Sequence, residues 1–177
     1  MVVIAVVGKS GSGKTTTIEY LTSRLSEGGY RVGSIKHIHH LDFSIDTEGT
    51  DTWRHTHAGA IVTVAIAPKE TVIIKKTDAS SLDLDRIIRL LDEEKVDFIF
   101  IEGLHSLIAK RKDIPKILVA KDVEDLTETL NGTVQPILAI TGVIAKRKTE
   151  VSGIEAPIID IYTEGDLLLK LLKKICS

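Results

Sequence analysis

Two apolar spacings alternate along the chain. Residues 2–7, 98–101, 116–120 and 137–140 are apolar at nearly every position. Such short, uninterrupted runs predict strands buried on both faces, as in a parallel sheet. Residues 31–37, with Val32 and Ile35 apolar, predict another strand, and Pro157-Ile158-Ile159 a last short one. Elsewhere apolar residues recur three and four positions apart, which is helical spacing. Ile18, Leu21 and Leu25 predict a helix over 14–27, stopped by Gly28-Gly29. Leu84, Ile87, Ile88 and Leu91 predict one over 82–94, and Leu168, Leu171, Leu172 and Ile175 one over 164–175. A further helix is expected over 122–130. Thr50 suits the N-cap of a short helix through Arg54, His55 and Ala58 that ends at Gly59. Residues 60–67 and 71–77 are rich in β-branched side chains, and Pro68-Lys69-Glu70 between them predicts an antiparallel hairpin. Strand–helix alternation then predicts an α/β fold: a three-layer α/β/α sandwich, its sheet mostly parallel, with that hairpin inserted. No linker or repeat divides the 177 residues, so one domain over 1–177 is expected.

The first strand runs directly into Gly8-Lys9-Ser10-Gly11-Ser12-Gly13-Lys14-Thr15, and the first helix begins inside that stretch. The spacing is G-x-x-x-x-G-K-[ST], the phosphate-binding loop of P-loop nucleotide hydrolases and kinases, in its required strand–loop–helix setting. The glycines allow backbone N–H groups to turn inward around phosphate oxygens. The helix start adds unpaired N–H groups and the positive end of its dipole. Lys14 reaches for the β- and γ-phosphates, Thr15 offers its hydroxyl to Mg²⁺, and Thr16 continues the donor row. A Gly/Ser linker would not lie between a buried strand and an amphipathic helix.

In a parallel sheet, ligands sit at the carboxyl ends of the strands. Phe98-Ile99-Phe100-Ile101-Glu102 has Walker B form, four apolar residues and then an acid, so Glu102 is a candidate to hold Mg²⁺ or polarise water. Asp46 and Asp51 lie where P-loop folds close over the γ-phosphate, and are further candidate Mg²⁺ ligands or water-positioners; helix capping is their simpler use. Lys9 reads either as a solvent-facing lysine or as a reach toward a dimer partner's nucleotide. Five of six histidines (His37, His39, His40, His55 and His57) fall together, with His105 just after Glu102. They suit a zinc or nickel site, or donors around a polyphosphate together with Lys36. No Asn/Thr-Lys-x-Asp guanine signature occurs: Val119-Ala120-Lys121-Asp122 does not match, and Thr141-Gly142-Val143 is another base-facing candidate.

Composition narrows the partners. Net charge is −2 and aromatics are 4%, which argues against nucleic acid. No apolar run reaches membrane-spanning length. The N-terminal apolar run lacks a basic flank, so it is read as a strand and not as a signal peptide. One cysteine, Cys176, forms no internal disulfide, and a reducing, cytoplasmic setting is expected.

Taken together, the 8–16 loop, Lys36-His37 with His40, Asp51-Thr52, Ala58-Gly59-Ala60, Ile101-Glu102-Gly103 and Lys116-Ile117 resemble the molybdopterin-guanine dinucleotide biosynthesis adapter proteins, the MobB family. The resemblance implies a homodimeric GTP-binding protein that assists the nucleotidyltransferase of molybdopterin guanine dinucleotide synthesis. It implies Mg²⁺-dependent GTP hydrolysis that is weak at most. Guanine enters only through this resemblance. The family usually continues Glu-Gly-Phe-Lys where this chain has Glu102-Gly103-Leu104-His105, so a role for that lysine does not carry over. Two other readings stay open. One is a P-loop small-molecule kinase, with Lys110-Arg111-Lys112 as its lid. The other is a nickel-delivering GTPase that uses the histidines.

Overall fold

The all-apolar runs do become one parallel sheet. The computed structural model describes residues 1–40, 42–77, 83–147, 151 and 154–176. Leu41 of the histidine-rich loop and Leu82, the expected start of the third helix, lie outside the described residues. In chain order the elements are β1 (Val2–Val7), α1 (Lys14–Glu27), β2 (Val32–Lys36), α2 (Asp51–His57), β3 (Val62–Ala67), β4 (Glu70–Lys75) and α3 (Leu84–Asp92). Then follow β5 (Phe98–Glu102), α4 (His105–Ile108), β6 (Lys116–Val119), α5 (Val123–Leu130), β7 (Ile137–Thr141), α6 (Val143–Lys146) and α7 (Gly165–Cys176). The chain clusters into two compact units, Met1–His37 with Ile87–Ser177, and Ile38–Arg86.

The first unit holds the five-stranded sheet, in the order β2-β5-β1-β6-β7. Alternate strand residues point to opposite faces. Ile4, Val6, Phe98, Phe100, Ile117, Val119 and Ala139 pack with Leu21 and Leu25 of α1 and Leu168, Leu169 and Leu172 of α7. The intervening residues Ala5, Val7, Ile99, Ile101, Leu118 and Ile140 are equally buried on the other face. On that face Leu91 of α3 comes within 3.5 Å of where a side chain on Gly33 would begin. A sheet covered on both sides explains why its strands show no polar alternation.

α1 has the expected bounds; Ile18 packs partly buried against the core as expected, and Thr17 beside it is fully buried, its hydroxyl turned onto the Gly13 carbonyl at 3.0 Å. α7 is rotated slightly from expectation: Leu169 is buried and Ile175, in the last turn, is 38% exposed. The expected strand at 157–159 is reduced to one parallel bridge, Ile140 with Ile158. Pro157 has no N–H with which to extend that pairing. α4 and α6 were not anticipated, because a single turn is too short to show periodicity.

The second unit contains α2 and the antiparallel β3–β4 hairpin. Thr50 caps α2 as expected, its hydroxyl accepting from the Trp53 N–H at 3.3 Å.

Candidate nucleotide-binding site

Chain order explains where the site must form. From β1 the chain crosses to β2 on one side, and from β5 it crosses back past β1 to β6. β1 therefore sits at the topological switch, where open parallel sheets leave a crevice beyond the strand ends. The 8–15 loop leaves β1 into that crevice. Gly8 is held against the end of β6, and a Cβ there would lie 2.0 Å from the Val119 carbonyl oxygen. Gly13, at the N-cap of α1, has φ 106°, a conformation that side chains resist. The loop thus fits a phosphate cradle: a tight turn, then a helix start whose first N–H groups have no acceptor within the helix. Ser12 is fully buried, and its hydroxyl has no hydrogen-bond partner among the described residues.

Lys14 lies over the loop with Nζ donating to the Lys9 carbonyl at 2.7 Å. Burial pushes its pKa down, and the Lys36 charge adds to this, while Glu102 opposes it. A partly dehydrated ammonium of this kind gains from an anion brought to it.

Thr15 and Glu102 meet across the crevice. The Thr15 hydroxyl donates to Glu102 Oε1 at 3.0 Å and is 3.2 Å from Oε2. Glu102 is only 7% exposed. Its charge is offset by Lys36, whose Nζ forms an ion pair with Oε1. β-Sheet register sets up this pairing, since Lys36 and Glu102 are opposite each other on β2 and β5. The sequence singled out Glu102 and named Lys36 only as a general source of charge; the direct pair depends on β2 lying beside β5, which chain order alone does not reveal.

Lys9 forms an ion pair with Glu128 of α5 in its own chain. The hydrogen bond to Glu128 raises its pKa against the opposing effect of burial. This is the simpler of its two readings, a loop lysine paired at the surface.

Asp46 and Asp51 belong to the second unit. Asp46 Oδ1 accepts from Thr52 Oγ1 at 2.8 Å, Thr50 Oγ1 at 2.9 Å and the Thr47 N–H at 3.0 Å. Burial acts to raise its pKa, but these bonds and the Lys76 charge outweigh that and hold it below the usual carboxylate range. Its Oδ2 is buried without a partner among the described residues. Asp51 is highly exposed in the first turn of α2, 3.7 Å from Arg54. Asp46 therefore organises the turn before α2, and Asp51 complements the helix N-terminus.

The histidines do not gather as a ligand set. Among the described residues, no group of three or more His, Cys, Asp or Glu side chains is placed to hold a metal ion. His105 Nε2 lies 2.8 Å from Thr133 Oγ1, and that hydroxyl lies 2.6 Å from the Thr129 carbonyl. The hydroxyl has one proton and gives it to the carbonyl, so His105 donates through Nε2. Burial lowers its pKa, so His105 does not replace the missing lysine's fixed charge. The kinase-lid candidate also fails. Arg111 is held by Asp113 at 2.8 Å through Nε, just before the start of β6. That is the edge of the sheet opposite the 8–15 loop.

The sequence profile described as "Molybdopterin guanine dinucleotide synthesis protein B" matches residues 3–142. The chain belongs to the MobB family, the molybdopterin-guanine dinucleotide biosynthesis adapter proteins. Curated MobB relatives agree. The Bacillus subtilis protein, a "Probable molybdopterin-guanine dinucleotide biosynthesis adapter protein", is 34% identical over 97% of this chain and 93% of its own length. The Haemophilus influenzae adapter protein is 32% identical over 77% of this chain and 72% of its own length. A Methanocaldococcus jannaschii relative, a putative adapter protein, is 40% identical over 69% of this chain, and the match spans 48% of that relative's length. The crystal structure of B. subtilis MobB superposes with a TM-score of 0.75 at 28% identity, covering 97% of this chain and 98% of that one. The sheet order and the inserted hairpin are thus those of a MobB fold.

Proposed function

We propose that this MobB-family chain binds GTP with Mg²⁺ on the 8–15 loop and acts as a homodimeric adapter beside the nucleotidyltransferase that makes molybdopterin guanine dinucleotide. The observation that carries the nucleotide part is the juxtaposition of a phosphate-type loop, Lys14 and the Thr15–Glu102 pair at one strand edge. In this reading Lys14 leaves the Lys9 carbonyl and pairs with the β- and γ-phosphates, and the loop N–H groups hold the remaining oxygens. One hydroxyl and one carboxylate with room for phosphate oxygens and waters suit Mg²⁺, which keeps much of its water shell. Thr15 would hold it directly and Glu102 through water, where it would neutralise phosphate charge. Lys36 already compensates Glu102, which disfavours direct coordination by that carboxylate.

Hydrolysis is expected to be slow. Arg54, the nearest arginine-finger candidate in the sequence, lies 3.7 Å from Asp51 of its own helix, while Arg24 is bound to Glu27 and Arg111 to Asp113. Such a finger is worth roughly 10³–10⁵ in rate. The family's adapter role needs nucleotide held more than it needs nucleotide turned over.

The dimer reading is supported by the hairpin. Val62, Val64, Ile66 and Ile73 share one face of it by register, and all are 42–83% exposed. A bare apolar face on a two-stranded sheet suits a second copy of the same surface. Lys14→Ala is expected to lose nucleotide binding at least tenfold in calorimetry; wild-type affinity in that variant would contradict the site.

A further inference from the structure

Glu102 lies on β5, on one side of β1, and a pocket of about 150 Å³ lies on the other, β7, side of the same loop. Its wall includes Thr16, the Gly142-Val143 turn, Lys146, Asp160 and Tyr162. We propose that this pocket receives the base of the bound nucleotide and that Asp160 is the residue that selects guanine. The proposal rests on reading the 8–15 loop as the nucleotide site.

Position is the first argument. With the terminal phosphates toward Thr15 and Glu102, the nucleoside end of the ligand leaves the loop on the β7 side, where the pocket opens. The second argument is chemical. Asp160 is fixed by the Tyr162 N–H, which donates to Oδ1 at 3.0 Å. Its backbone carbonyl is also held, accepting from the Glu164 N–H at 2.7 Å. An ionised carboxylate only accepts hydrogen bonds. Guanine offers two adjacent donors, N1–H and the exocyclic amine at C2, and a carboxylate accepts both. Adenine presents an acceptor at N1, which a carboxylate repels. The third argument is the shape of the wall. Tyr162 is 64% exposed, and Lys146 Nζ lies over its ring, 4.6 Å from the centre. An aromatic face beside a cation is the platform on which bases stack. Ser12 also lines this wall, its backbone carbonyl turned toward Gly142. Lys146, Asp160 and Tyr162 fall outside residues 3–142, so the family match by itself assigns them nothing.

The deciding experiment compares wild type with Asp160→Asn by calorimetry against GTP, ATP and xanthosine triphosphate, each with Mg²⁺. Asparagine keeps the oxygen that Tyr162 needs. Its amide donates to the carbonyl that xanthine carries at C2 in place of the guanine amine. Wild type is expected to bind GTP at least tenfold more tightly than ATP. The variant is expected to lose GTP affinity at least tenfold and to gain xanthosine triphosphate. A variant that keeps the wild-type GTP preference without that gain overturns the role of Asp160 and leaves the phosphate site standing. Equal loss of all three nucleotides also overturns it, because it shows a structural role only. A wild type that binds no nucleotide overturns this inference together with the function it rests on.

Discussion

Glu102 carries more of the site than any other side chain. It is almost fully buried, accepts from Thr15 and pairs with Lys36. Removing the Lys36 charge leaves a buried carboxylate with the Thr15 hydroxyl and the more distant Lys14 charge. Lys36 is half exposed, so solvent screening keeps the loss at the low end for such pairs, about 1 kcal/mol. Lys36→Met is therefore expected to melt a few degrees lower without ligand. The same variant is expected to recover more of its stability than wild type does on adding GTP with Mg²⁺, because the cation then faces the carboxylate unopposed. Thermal melts with and without ligand check both parts; equal recovery in the two proteins would show that Lys36 and the cation do not compete. His105 gives a pH signature of its own. Its folded pKa is depressed below about 6.5, the ordinary histidine value, by burial. Its contribution to stability is full above that ordinary value. As pH falls through the window between the unfolded and folded pKa, the unfolded chain takes the proton first and stability declines. His105→Gln is expected to flatten this decline in melts taken across that range; an unchanged slope would remove His105 as its source.

At the scale of elements, what could be read from the sequence follows from how local each signal is. α1 begins and ends as the apolar spacing and the glycine pair indicate, and α2 starts where Thr50 indicates. Asp122 caps α5 through the Asp125 N–H at 2.9 Å, again a contact between residues three apart. The buried faces are less legible. α7 buries Leu169 in preference to Ile175 because the helix turns to meet α1 and the sheet, and that choice is made by packing. The Lys36–Glu102 pair and the Asp160 wall are illegible for a related reason, since each joins chain segments whose adjacency is fixed only by strand order. Asp46 and Asp51 show the opposite case. Their sequence positions suited a metal, while their immediate neighbours give both of them local work at the start of α2. The hairpin is the element with the least local justification. Ile66 is 83% and Ile73 68% exposed. Ile66→Asp with Ile73→Asp is expected to convert a dimer to a monomer in light scattering, with the greater solubility that added charge brings. A dimer that survives both charges would place the interface elsewhere.

For the molecule as a whole, the parallel sheet does one thing for function: it brings the ends of β1, β2, β5 and β7 to the same edge. The proposed phosphate donors come from the loop after β1, the buried acid from β5, its counter-charge from β2, and the proposed base wall from beyond β7. The exposed apolar hairpin belongs to the second compact unit. The measurement that tests this account most directly is calorimetry of the wild-type chain with GTP and with ATP, each with and without Mg²⁺. The account predicts one nucleotide per chain, GTP bound at least tenfold more tightly than ATP, and weaker binding once Mg²⁺ is withdrawn. No binding of either nucleotide, or equal affinity for both, would contradict it.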